Sequence, residues 1–160
     1  MYSMIEIREM TLEDIPEIML IERESFSTPW SEGAFVEEMT HNPLARYYVG
    51  ILGQTVVGYM GMWLILDEAH ITNIAMAKAF RGRGYGRRLL QEAFERARKA
   101  GVRAVTLEVR ESNFPAINLY TDLGFKVGGR RKNYYQDSRE DALLMWLSIQ
   151  GEDSFEDSGD

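Results

Sequence analysis

The side chains best placed for chemistry lie between residues 81 and 120. Arg81-Gly82-Arg83-Gly84-Tyr85-Gly86-Arg87 stands between a strand-like run and a helical one. A turn of that kind offers an anion backbone N–H groups and the positive end of a helix, worth roughly half a charge. Its glycines let the backbone approach a pyrophosphate, although the same letters also describe an arginine-rich surface loop. A Walker loop would end in Gly-Lys-Ser or Gly-Lys-Thr, which is absent. A dinucleotide fingerprint carries an acidic residue about 20 positions on, and Glu108 falls near that distance. The turn, however, follows an antiparallel meander, which the dinucleotide fold lacks at its start. Val105, Leu107 and Val109 alternate with Thr106, Glu108 and Arg110, so Glu108 faces away from the apolar side of a half-buried strand. A carboxylate there can take a proton or can simply pair with an arginine. Asn113 and Tyr120 are seven residues apart, close to two helical turns. A helix beginning near Asn113 points both toward the strand end that carries Glu108. Tyr120 can equally pack on the sheet with its hydroxyl at the rim.

The elements that must position these groups are legible in outline. Asp14-Ile15-Pro16-Glu17 predicts a helix start, with Asp14 as cap and Glu17 closing a capping box. A second helix is expected from Ser31, with Phe35 and Met39 on one side. From Arg46 to Ile51 and from Thr55 to Leu66 β-branched and aromatic residues dominate, so two antiparallel strands are predicted around a Leu52-Gly53-Gln54 turn. Ala69 to Met76 reads as a further strand leading into the glycine turn and a helix from roughly Gly86 to Lys99, which Gly101 ends. Strand, helix and strand in that order imply a parallel βαβ unit. Pro115 opens another helix that Gly124 closes, and Phe125 to Gly128 and Ala142 to Leu147 are the expected final strands.

Composition bounds the answer. A chain of 160 residues that is 45% hydrophobic has material for one core, so residues 1–148 are read as a single domain. The acidic tail, residues 149–160, is expected to be disordered. There are no cysteines and only two histidines, His41 and His70, which argues against a metal centre. His70 is expected to pack or hydrogen-bond beside the central strand, and His41 to lie in a loop before Pro43. Glu6, Arg8 and Glu9 arrive before any long apolar run, unlike a secretory signal. The stretch from Val56 to Leu66 is broken by Gly58 and Gly61 and falls short of the ~20 residues a bilayer span needs. A cytoplasmic protein with no membrane partner is the expectation. Acidic residues outnumber basic ones 25 to 18, so nucleic acid should be repelled. The basic groups cluster at Arg81, Arg83, Arg87 and Arg88 and at Arg130, Arg131 and Lys132, where a small phosphorylated ligand is better served than a duplex.

The Arg-x-x-Gly-x-Gly loop resembles the one that opens the central helix of GNAT acetyltransferases. Further segments resemble the RimI-type branch, which acetylates the N-terminal alanine of the eighteenth small-subunit ribosomal protein. They include Pro29-Trp30-Ser31, Asp67-Glu68-Ala69, Asn73-Ile74-Ala75-Met76, Leu107-Glu108-Val109-Arg110, Ser112-Asn113, Leu123-Gly124-Phe125 and Arg131-Lys132-Asn133-Tyr134-Tyr135. The resemblance implies an α/β fold (α+β by some schemes): a mixed, mostly antiparallel, twisted sheet of about seven strands. A central parallel βαβ unit in it would splay to admit a thioester arm. It implies acetyl-CoA as cosubstrate and no metal. The backbone at Ile74, Ala75 and Met76 would hold the pantetheine arm, and Arg81, Gly82, Arg83, Gly84, Tyr85, Gly86 and Arg87 the pyrophosphate. Asn113 would sit near the reactive end, with Glu108 as proton acceptor and Tyr120 as proton donor. Trp30, Ser31, Asn133, Tyr134 and Tyr135 would border the acceptor, a protein N-terminus. A tyrosine pKa of ~10 exceeds a thiol's ~8.5, so full transfer to the leaving sulfur would cost about 2 kcal/mol. The alternatives are an enzyme for lysine side chains, polyamines or another small amine, and a non-catalytic acetyl-CoA-binding regulatory module. Glu108, Asn113 and Tyr120 together count against the module, which needs neither acid nor base.

Overall fold

The switch to alternating periodicity at Ala45 marks the entry into a continuous antiparallel meander. The structure, a computed structural model, describes residues 4–150. Of the tail expected to be disordered, Ile149 instead packs on the core and gives its N–H to the Arg103 carbonyl at 2.9 Å, and the part from Gly151 onward lies outside the described residues. In chain order the elements are β1 (Glu6–Glu9), α1 (Ile15–Ser25), α2 (Glu32–His41), β2 (Ala45–Leu52), β3 (Thr55–Ile65), β4 (Glu68–Met76), α3 (Tyr85–Lys99), β5 (Ala104–Arg110), α4 (Phe114–Asp122), β6 (Lys126–Tyr135) and β7 (Glu140–Ser148). They form one seven-stranded sheet ordered β1-β2-β3-β4-β5-β7-β6. Only β4 and β5 are parallel; every other neighbouring pair is antiparallel. This is the mixed sheet that the resemblance implied.

Helices cover both faces of the sheet. On α3, Leu89, Leu90, Ala93, Phe94 and Ala97 fall on one stripe at helical spacing and are all buried, each leucine contributing roughly 1.5–3 kcal/mol. That stripe packs in one core cluster with Leu107, Val109, Tyr120, Phe125 and Met145. The opposite cluster joins Ile15, Ile18, Met19 and Ile21 of α1 and Phe35 of α2 to Tyr47, Tyr59 and Ala75. Gly101, at φ 99°, turns the chain out of α3, and the Val102 N–H bonds back to the Ala97 carbonyl at 2.9 Å. No helix among the described residues is long and apolar enough to cross a membrane.

Several local expectations are corrected. Asp14 does not cap α1 with its side chain. It accepts the Thr11 N–H at 2.8 Å and two bonds of 2.8 Å from Arg8, because a short 3₁₀ turn, Leu12–Asp14, precedes the helix. Glu17 reaches the Val56 N–H at 3.4 Å rather than closing a capping box. His41 ends α2 instead of lying in a loop, 3.2 Å from Glu37. Strand β1 is too short and charged to announce itself. Strand β6 runs past Gly128 to Tyr135, so Arg130, Arg131 and Lys132 belong to an edge strand. Its register slips at Val127/Gly129 and Arg131/Tyr135, and those irregularities erase the alternation a strand would show.

Candidate active site

The site exists because β4 and β5 separate. Their parallel pairing comprises Glu68 with Ala104, Ala69 with Val105 and His70 with Thr106, and it stops there. One residue later β4 bulges: Met62 pairs with Ile71 and Gly61 with Asn73, leaving Thr72 as the extra residue. A bulge bends its strand and increases the local twist, so β4 stays with β3 while β5 follows β7. Between them opens a cleft of about 640 Å³, lined by Glu22, Trp30, Asn73, Ile74, Glu108, Arg110, Asn113, Tyr120 and Tyr135 among others. Ala77 gives its N–H to Val57 at 2.8 Å. By alternation the backbone groups of Ala75 also turn toward β3, while those of Ile74 and Met76 turn toward the split. A polar arm can therefore pair with β4 as a strand would.

Beyond the end of β4 the glycine turn leads into α3. Gly82 and Gly84 stand at φ 76° and 84°, a left-handed conformation costly for other residues. Gly84 is the N-cap, and the first turn of α3 carries no acidic residue. The first intrahelical bond observed, Arg88 N–H to the Gly84 carbonyl at 3.1 Å, leaves the N–H groups of Tyr85, Gly86 and Arg87 ahead of it as donors for an anion. The arginines divide their work. Arg81 ties the loop down, bonding the Met76 carbonyl and Ser25 Oγ at 2.9 Å each. Arg83 stacks over Phe80 at 5.6 Å, and Arg87 lies 3.6 Å from Asp122.

Leu107 and Val109 point into the α3 face, so Glu108 points to the face of α1 and α2. There His70 Nε2 lies 3.1 Å from Glu108 Oε1 and Arg131 Nε 3.6 Å from Oε2. The other nitrogen of His70 is 3.1 Å from Thr106 Oγ1, which orients the ring. The hydrogen bond from His70 holds the Glu108 carboxyl below its ordinary value against the opposing effect of burial, and the nearby charges of His70 and Arg131 add to it. Replacing His70 by alanine should let the carboxyl rise toward the ordinary range. A carbon-13 NMR titration reads this directly, and an unmoved midpoint would assign the effect to Arg131 instead.

Tyr120 comes from the opposite face. It is buried against Phe125, ring centroids 5.5 Å apart, and burial pushes its phenol up to about 12. Carboxylate and phenol thus belong to different sides of the sheet and meet only through the split. Asn113 lines the cleft while its Oδ1 caps α4 by accepting the Ala116 N–H at 3.3 Å. Of the residues expected at the acceptor side, Trp30 and Tyr135 line the cleft, the latter under Arg110 at 4.1 Å. Ser31 is not brought there; it caps α2 through the Ala34 N–H at 3.1 Å. Asn133 and Tyr134 also stay outside the lining, Asn133 giving its N–H to Asp141 at 3.0 Å and Tyr134 standing edge-on to Tyr135. Sequence reasoning did not single out Glu22, Asn73 or the contact between His70 and Glu108. The helical spacing of Ile15, Ile18, Met19 and Glu22 carried the one available hint, a carboxyl on an apolar stripe.

Residues 15–125 match the model of the acetyltransferase (GNAT) family. A protein of Bacillus subtilis (strain 168), provisionally named as a ribosomal protein bS18-alanine N-acetyltransferase, is 44% identical over 143 residues, spanning 89% of this chain and 95% of its own. The ribosomal protein bS18-alanine N-acetyltransferase of Escherichia coli (strain K12) is 37% identical over 147 residues, spanning 89% and 97%. The crystal structure of the ribosomal-protein-S18-alanine N-acetyltransferase from Escherichia coli superposes with a TM-score of 0.84 at 34% identity, covering 93% of this chain and 97% of that one. With this similarity running through the split strands, the glycine turn and the cleft, the chain belongs to the acetyltransferase (GNAT) family.

Proposed function

We propose that this acetyltransferase moves the acetyl group of acetyl-CoA onto the N-terminal α-amine of a protein, with the N-terminal alanine of ribosomal protein bS18 as acceptor. The observation that carries this reading is the split between β4 and β5, which lets a paired carboxylate from one sheet face and a buried phenol from the other border one cleft. The names of the relatives supply the acceptor. The donors that fit acetyl-CoA are those of the chain itself: the backbone of Ile74 and Met76 for the arm, and the N–H groups at the start of α3, whose first turn carries no acidic residue, for the pyrophosphate. Bound there, acetyl-CoA supplies an activated acyl group and a thiolate leaving group.

Magnitudes assign the work of the two side chains. An α-ammonium has a pKa of ~8 and an ordinary glutamate one of ~4.3, and the hydrogen bond from His70 holds the Glu108 carboxyl below that ordinary range. Taking a proton from the resting ammonium would cost Glu108 at least about 5 kcal/mol. Glu108 instead orients the neutral amine and receives its proton as the N–C bond forms, when the nitrogen becomes far more acidic. Tyr120, at about 12, stands some 3.5 units above a thiol, so transfer to sulfur would also cost about 5 kcal/mol. It donates a hydrogen bond to the departing sulfur rather than giving up its proton.

Incubation with acetyl-CoA and a peptide beginning with alanine should release free CoA. A peptide with a blocked N-terminus and a free lysine should release much less; equal release would move the function to lysine side chains. Tyr120→Phe should lower kcat about 10- to 100-fold with little change in KM. A wild-type rate in that variant would remove Tyr120 from the reaction.

A further inference from the structure

Two buried groups in the cleft have no part in the proton transfers above. The first is Glu22, on the last turn of α1. It is 2% exposed, yet it lines the cleft. One carboxylate oxygen accepts the Tyr59 hydroxyl and the other the Trp30 N–H at 2.9 Å. Among the described residues no cation lies within ion-pair distance of it, whereas Glu108 has His70 and Arg131. Burial raises the Glu22 carboxyl and only the Trp30 N–H opposes that, so the two carboxyls of one cleft are pushed in opposite directions. A buried carboxylate without a cation is unfavourable by itself and becomes favourable when a cationic ligand completes it.

The second group is Asn73. Its Nδ2 is, among the described residues, the buried side-chain atom without a hydrogen-bond partner. Asn73 pairs with Gly61, and residues directly opposite on antiparallel strands share a face. Gly61 lies two residues from Tyr59 and under the ring of Tyr47, so Asn73 stands on the α1 and α2 face, as Glu22 and Glu108 do. Its Oδ1 accepts Thr72 Oγ1 at 2.9 Å, and Thr72 is 3.3 Å from the Tyr47 hydroxyl, which donates to Glu38 at 3.0 Å. The amide is anchored through its oxygen, and its nitrogen remains as a donor.

From this pairing we infer that Glu22 and Asn73 form the subsite that recognises a protein amino terminus, Glu22 receiving the α-ammonium and Asn73 Nδ2 the carbonyl oxygen of the first residue. An acceptor without a cation and a donor without an acceptor complement the two groups that an amino terminus presents side by side. A lysine side chain brings the ammonium but only methylenes beside it, leaving the Asn73 donor unmatched. Glu22 and Glu108 then divide the labour: Glu22 recruits the charged amine, which releases one proton to solvent before it attacks, and Glu108 takes the second as the N–C bond forms. The inference rests on N-terminal acetylation being the activity.

The test is calorimetric titration of the CoA-loaded protein at pH 6.5 with an alanine-leading peptide and, separately, with its N-acetylated product, which keeps the carbonyl and lacks the ammonium. Glu22→Gln should weaken the free-amine peptide about 10- to 100-fold and the acetylated one by less than about twofold. Asn73→Ala should weaken both about five- to tenfold. Affinity for CoA should be unchanged in each variant. Equal loss on both peptides in Glu22→Gln would reduce Glu22 to a prop for Trp30, and no loss in either variant would also overturn the subsite. A wild-type protein that binds the peptide but acetylates only lysine would remove the function on which the subsite rests. Acetylation of the amino terminus together with either negative result would remove the subsite alone.

Discussion

Glu108→Gln should lower kcat for an alanine-leading peptide about 10²- to 10³-fold while leaving the affinity for coenzyme A within about twofold. Glutamine keeps the shape of the side chain and can still meet His70 and Arg131 by hydrogen bonding, but it cannot take a proton. The loss should therefore appear in kcat rather than in the KM for acetyl-CoA, whose proposed seat is on β4 and α3. Raising the pH should restore part of the rate, since a larger neutral fraction of the amine asks less of a base. Turnover within about threefold of wild type would exclude the carboxylate as proton acceptor. The same substitution has a stability signature. The folded carboxyl ionises below its unfolded value, so its pairing stabilises the fold above the ordinary carboxylate range. That contribution disappears as pH falls through the folded value. The variant should lose less stability on acidification than the wild type does.

Gly84→Val should weaken coenzyme A about 10- to 100-fold and destabilise the fold by about 1–3 kcal/mol. No atom lies within 4 Å of a Cβ built at Gly84, so the penalty is conformational: a β-branched residue resists φ 84°. Relieving that strain re-aims the N–H groups at the start of α3, which no side chain can replace. Gly53→Val is the control. Gly53 also has positive φ and an open Cβ position, but it lies in the turn between β2 and β3. It should lose similar stability, read as a lower Tm, and keep its affinity for CoA. Equal loss of affinity in both variants would mean that global destabilisation, not the turn, governs binding.

Much of this arrangement was readable before any tertiary contact was known, and the reason differs from residue to residue. The glycine turn announced itself because positive φ and the start of a helix are local properties. Glu108 could be assigned to a face because strand period is fixed at two. Asn113 and Tyr120 could be placed together because seven residues make nearly two helical turns. Strand β6 could not be read through to Tyr135, since its register slips remove the alternation that marks a strand. Ser31 and Asn133 were placed in the acceptor wall by resemblance, while their contacts are a helix cap and a backbone bond to Asp141.

The sequence by itself determined most of the elements, though neither β1 nor the full run of β6, together with the faces of the regularly alternating strands and the turn where an anion can be seated, because these depend on neighbours a few positions away. Tertiary structure alone decided that His70 meets Glu108, that Glu22 is buried without a cation, and that a carboxylate and a phenol from opposite faces share one cleft. The last of these follows from where β4 bulges and ceases to pair with β5. Pairing between strands distant in sequence is set by the packing of the whole sheet, and no local period encodes it.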